Sequence, residues 1–136
     1  MRRVLRPLLA LALAAFAASA CATAQAATPT QVGIRIHYSH FAPTRIEVPA
    51  GVPITFTIVN DDPIDHEWLI GDEAFHERHR HGTHEAHGAV PNEVTVPALE
   101  TVETTITFAD SGSVQYICHL PGHEAYGMVG TVTVGG

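Results

Sequence analysis

The stretch Tyr116-Ile117-Cys118-His119-Leu120-Pro121-Gly122-His123-Glu124-Ala125-Tyr126-Gly127-Met128 decides how this chain is to be understood. It offers a thiolate, an imidazole and a thioether in one short segment near the C-terminus. Cys118, His123 and Met128 have four residues between each successive pair. Pro121, Gly122 and Gly127 favour a tight loop over a helix, so the three side chains can converge. Such a set suits a soft metal ion.

Working outward, the surrounding sequence is a succession of short β-type runs. Ile34, Ile36 and Tyr38 alternate with Arg35 and His37, and Thr44 to Val48 alternates again. Val52 to Val59 puts Ile54, Phe56 and Ile58 on one face and Thr55 and Thr57 on the other, as a central strand does. Asn60-Asp61-Asp62-Pro63 is a turn, and a short strand carrying Trp68 follows from His66 to Ile70. Glu93 to Val96, Thr101 to Phe108, Ser113 to Cys118 and Met128 to Val134 complete the set. Phe41-Ala42-Pro43 and Pro49-Ala50-Gly51 are expected to turn the chain. About eight strands with Gly and Pro turns and little helical periodicity predict an all-β antiparallel sandwich. No linker or internal repeat divides it.

The N-terminus has a different character. Arg2, Arg3 and Arg6 precede an apolar run from Leu8 to Ala20 and a small-residue stretch, Ala22 to Ala27. This reads as a signal peptide, residues 1–26, with cleavage after Ala24-Gln25-Ala26 and the general secretory route as the default over twin-arginine export. Ala18-Ser19-Ala20-Cys21 offers a second processing site, a loose lipobox that would end the signal before Cys21 and lipidate it. Membrane insertion of the mature chain is not expected unless Cys21 carries such an anchor. The remaining domain, 27–136, is of ordinary size for one core and one monomer. It keeps Cys118 as an unpaired thiol, and an exported protein with one unpaired thiol is expected to use it.

Removing the signal leaves four arginines against fourteen acidic residues, a net charge of −10, with no lysine anywhere. That balance disfavours nucleic acid as a partner and suits a cationic protein partner.

Asn60 six residues ahead of His66, with Cys118, His123 and Met128 at the far end of a small exported β-sandwich, resembles the cupredoxins, the plastocyanin- and azurin-like blue copper proteins. The likeness spans the mature chain, from Phe41-Ala42-Pro43 to the closing Gly127-Met128-Val129-Gly130-Thr131-Val132-Thr133-Val134. It implies a Greek-key sandwich and one type 1 copper ion held by His66, Cys118, His123 and Met128. Two imidazoles, one thiolate and a weak axial thioether are the donors such a centre prefers. The expected role is to carry single electrons between redox partner proteins outside the cytoplasm, periplasmic or secreted. The alternative is copper handling or resistance, with the same four ligands or with the histidines of residues 72–88. A dinuclear copper site needs a second cysteine in the loop, and no metalloprotease spacing occurs, since His76/His79 and His84/His87 each enclose two residues. No enzyme activity is expected.

Three features depart from the best-known cupredoxins. Four residues separate Cys118 from His123, a spacing closer to azurins than to plastocyanins. Glu67 follows the first histidine where Asn is common, leaving open which group hydrogen-bonds the Cys118 sulfur. The third is a histidine-rich insert, residues 72–88, which carries five of the ten histidines and is expected to be either a solvated loop or a second, looser metal or pH-sensing element. His119 is expected to be an exposed loop residue.

Overall fold

The computed structural model describes residues 30–82 and 90–135. The expected signal peptide, Cys21, His84 and His87 lie outside these residues. Among the described residues, nine strands form two packed sheets and one helix lies against the second. The first sheet has the order β2 (His40–Ala42), β1 (Thr30–His37), β4 (Pro53–Asn60), β7 (Thr101–Thr107). The second has the order β3 (Arg45–Pro49), β9 (Val129–Gly135), β8 (Gly112–Ile117), β5 (His66–Gly71), β6 (Glu93–Val96). Most neighbours run antiparallel, while β1 with β4 and β3 with β9 are parallel pairs.

Alternation in the sequence becomes two inner faces. Ile34, Ile36, Ile54, Phe56 and Ile58 of the first sheet meet Trp68, Ile70, Tyr116, Val132 and Val134 of the second, all buried in one cluster. Phe56 and Trp68 form its centre, their rings 4.9 Å apart. Each large side chain buried here contributes about 1.5–3 kcal/mol of transfer free energy. Cys118 and Met128 belong to the same cluster, so two of the expected metal ligands are part of the core.

Two elements differ from expectation. Phe41-Ala42 does not merely turn the chain: it forms β2, a hairpin return onto β1 with Arg35 opposite Ala42 and His37 opposite His40. Its two-residue loop, Tyr38-Ser39, has φ of 52° and 56° at both positions, the mirror-image turn that hairpins favour and that Asn-Gly usually signals. No Asn or Gly is there to announce it. The turn is held instead by Asp62, whose two carboxylate oxygens accept the backbone N–H groups of Tyr38 and Ser39 at 2.7 Å each.

The second difference is in the insert. Its first half is a helix, α1 (Glu73–Arg80), packed on β5 and β8. Asp72 caps it by accepting the Phe75 N–H at 2.8 Å, Glu73 occupies the first turn, and Arg78, His79 and Arg80 the last, as the helix dipole favours. Phe75, His76 and His79 are the buried residues, one face of the helix. Two of the three are histidines, so a search for apolar periodicity passes over them. Gly71 makes the packing possible, because a side chain there would meet the Phe75 ring at 2.5 Å.

Candidate metal centre

The end of the sandwich that holds the metal donors is built from two loops. The first, between β4 and β5, is organised by Asn60, which is buried. Its amide donates to the carbonyls of Ile64, Val96 and Pro97, while its Oδ1 accepts the Asp62 N–H at 3.0 Å. This fixes Asp62 and starts β5 at His66. The second loop, 118–128, closes on itself. Cys118 N–H donates to Met128 O, Met128 N–H to His123 O, and His123 N–H to Leu120 O, at 3.0–3.2 Å. Gly122 and Gly127, at φ of 86° and 93°, allow the reversals these bonds require.

The result brings His66, Cys118 and His123 together, with one donor atom from each lying within 4.8 Å of the others. His66 Nδ1 and Cys118 Sγ each lie 3.3 Å from His123 Nδ1. Those edges match ligands around one cation at bond lengths of about 2.0–2.3 Å. His66 and Cys118 are fully buried and His123 is partly exposed. Met128, the fourth expected residue, is also fully buried in the same cluster as Cys118 and is bonded to it through the backbone.

Two surrounding groups orient the donors. His66 Nε2 donates to Asp62 Oδ2 at 2.9 Å, which fixes the tautomer and leaves the Nδ1 lone pair facing the centre. Burial works to raise the Asp62 pKa, but the N–H donors of Ser39 and Tyr38, together with His66, outweigh it and hold the carboxyl below its ordinary value. A carboxylate anion is therefore the outer partner of a metal-binding imidazole. The Cys118 sulfur accepts the backbone N–H of Glu67 at 3.4 Å, so the donor left open by replacing Asn is a main-chain group.

Burial pushes the Cys118 thiol pKa up, offset in part by the Glu67 and Leu120 N–H groups. Burial, and next the nearness of His66, lowers the pKa of His123. The site therefore favours a neutral His123 ring, and a bound cation would draw the proton from the thiol.

A thiolate and two imidazoles converging beneath the end of a two-sheet sandwich, with a buried methionine beside them, define the class of type 1, or blue, copper proteins. The comparisons agree. The chain belongs to the cupredoxin family: residues 8–134 match the cupredoxin-like domain. It is 29% identical to the copper-resistant cuproprotein CopI of Pseudomonas aeruginosa, with 70% of each chain covered. It spans 70%, 59% and 48% of the length of three relatives of that name. Among solved structures it is similar to auracyanin B, at 26% identity and a TM-score of 0.67, covering 81% of this chain and 92% of that one. Auracyanin A from Chloroflexus aurantiacus, titled a "blue" copper protein, matches at 26% identity and a TM-score of 0.64, covering 79% of this chain and all of that one.

His119 is corrected by the structure. Its side chain is only 6% exposed, and Nε2 lies 2.9 Å from Nδ1 of His76 on α1. Burial pushes its pKa down to about 4 and lowers that of His76 as well, so both rings are neutral at physiological pH. Arg80 extends the attachment of helix to loop, with Nε and Nη2 donating to the Glu124 carboxylate at 2.8–3.1 Å. Asp62 was visible in the sequence only as a turn residue, and His76 only as one of many histidines. Neither spacing nor composition marked them as neighbours of the ligands.

Proposed function

We propose that this chain is an exported cuproprotein of copper tolerance, holding one copper ion through His66, Cys118, His123 and Met128. The preformed trio of one sulfur and two nitrogens, 3.3 Å apart along the edges that meet at His123, carries this reading. Copper supplies one-electron chemistry in such a site. The chain's residues supply the rest: Asp62 holds the His66 ring, the Glu67 N–H steadies the sulfur, and a loop closed by its own backbone bonds limits movement between oxidation states. The name of the CopI relatives favours tolerance over general electron traffic, and the signal-like N-terminus favours a site of action outside the cytoplasm.

A second reading, a carrier of single electrons between redox proteins, is favoured by the likeness to the auracyanins and by the partial exposure of His123. Near it in sequence, Tyr126 is 75% exposed, an apolar contact point for a partner. The two readings separate in cells. Expressed with its own N-terminus in a copper-sensitive bacterium, the protein is expected to restore growth on copper, and Cys118→Ser to lose that protection. Unchanged copper sensitivity, combined with rapid electron exchange with a cytochrome in vitro, would favour the carrier.

A further inference from the structure

Helix α1 and the ligand loop bring a second pair of imidazoles together, outside the first site. His76 Nδ1 and His119 Nε2 face each other at 2.9 Å. The opposite nitrogen of each ring faces an acceptor. His76 Nε2 lies 3.0 Å from the Gln115 carbonyl oxygen, and His119 Nδ1 lies 3.4 Å from Glu124 Oε2. A carbonyl oxygen accepts and never donates, so His76 carries its proton on Nε2 and its Nδ1 is a lone pair. His119 Nδ1 stands at ion-pair distance from the Glu124 carboxylate, which favours a proton on that nitrogen once Nε2 is taken by a metal ion. With the His119 proton on Nε2 the 2.9 Å contact is a hydrogen bond to the His76 lone pair; with it on Nδ1 both lone pairs face one point, where a cation is held by both rings.

We propose that His76 Nδ1 and His119 Nε2 are ligands of a second metal ion, a borderline divalent cation of the Cu(II) or Zn(II) type. Nitrogen donors without sulfur select that class, and a separation near 3 Å suits two bonds of about 2.0–2.1 Å to one ion. The outer bonds follow the pattern of metal-binding histidines, whose far N–H meets a carbonyl or a carboxylate. The first site repeats that pattern: its two Nδ1 atoms stand 3.3 Å apart, and Asp62 holds the far nitrogen of His66. Among the described residues no third donor joins the pair as closely as the three of the first site join each other. Water completes the coordination, entering by a surface cavity of about 360 Å³ whose lining includes His79, His119, Leu120 and Glu124. The second ion is joined to the first site by one peptide link, between Cys118 and His119.

The proposal does not depend on the copper-tolerance reading, and it is tested on the whole mature chain. Copper(II) is titrated in and followed by electron paramagnetic resonance, with zinc binding measured by calorimetry. The expected result is two tightly held ions per chain, one copper with the narrow hyperfine splitting of a thiolate site and one with the wide splitting of nitrogen and oxygen ligands. His119→Gln and His76→Gln each weaken the second ion about tenfold or more while the first signal persists. Replacing His81, His84 and His87 together by Ala leaves the second ion in place. If His76→Gln proves unfolded, His119→Gln carries the test alone. The proposal is overturned if only one ion binds tightly, or if the wide signal survives His119→Gln, which leaves the pair as an ordinary hydrogen bond from helix to loop. A missing narrow signal beside an intact wide one would instead remove the type 1 assignment and leave this inference standing.

Discussion

Two histidine pairs stand on either side of one peptide bond, and they differ in how they came to be there. His66 and His123 meet because a strand start and a loop closure, each fixed by backbone and Asn60 hydrogen bonds, aim them at one point. His76 and His119 meet because a capped helix is laid across the outer face of a sheet, and the residue after the cysteine reaches up to it. The first pair shares its centre with sulfur and has a carboxylate behind it. The second has no sulfur donor among the described residues that approach it. A donor set with sulfur and a pair of nitrogens alone are thus set on adjacent residues, Cys118 and His119, by which element delivers the imidazole.

The two histidine pairs are told apart most completely at Cys118. Cys118→Ser is expected to abolish the thiolate-to-copper charge-transfer absorption while leaving the His76 and His119 contact unchanged, readable as a visible spectrum beside the ring signals in NMR. Loss of both would show that the two regions are one cooperative unit. Next in size is His76→Ala, which removes a fully buried ring and leaves the Gln115 carbonyl without its donor. A loss of about 2–4 kcal/mol is expected in denaturant unfolding, with the loop loosened but the four ligands retained.

Asp62→Asn sharpens the contrast between the two outer shells. Losing the anion behind His66 should weaken copper binding about 10- to 100-fold and raise the reduction potential, because Cu(II) loses more than Cu(I) when an imidazole becomes less electron-rich. It also has a pH signature. The Asp62 pKa lies below its ordinary 3.8 when folded, so this carboxylate stabilises the fold above that value and the contribution fades as pH falls through the folded pKa. The stability gap between wild type and Asp62→Asn should therefore be full at neutral pH and close in acid. A gap independent of pH would assign the role to shape alone. The smallest effect is expected in the core beneath both sites. The Trp68 indole N–H is buried with no hydrogen-bond acceptor among the described atoms, so Trp68→Phe should cost no more than about 1–2 kcal/mol of lost packing.

Much of the first region could be read from the chain. Alternation in Val52 to Val59 and the Cys118, His123, Met128 spacing need only local periodicity and a turn, and each is a property of neighbouring residues. The second region depends on what the chain brings together from afar. His76 and His119 are 43 positions apart, and the helix that joins them buries histidines where a search for helices expects apolar residues. The mirror-image turn at Tyr38-Ser39 was hidden for a related reason, since a carboxylate 23–24 residues away, and no local Asn or Gly, supplies what it needs. Asp62 thereby serves a hairpin and a metal ligand at once, a double duty that no local pattern records.

His66, Cys118, His123 and Met128 are expected to enclose a single copper ion. Titrating the reduced, metal-free protein with copper and recording the oxidised visible spectrum decides this. The expected result is an intense absorption that grows to one equivalent and then stops. An oxidised protein that holds its copper yet stays colourless would contradict it.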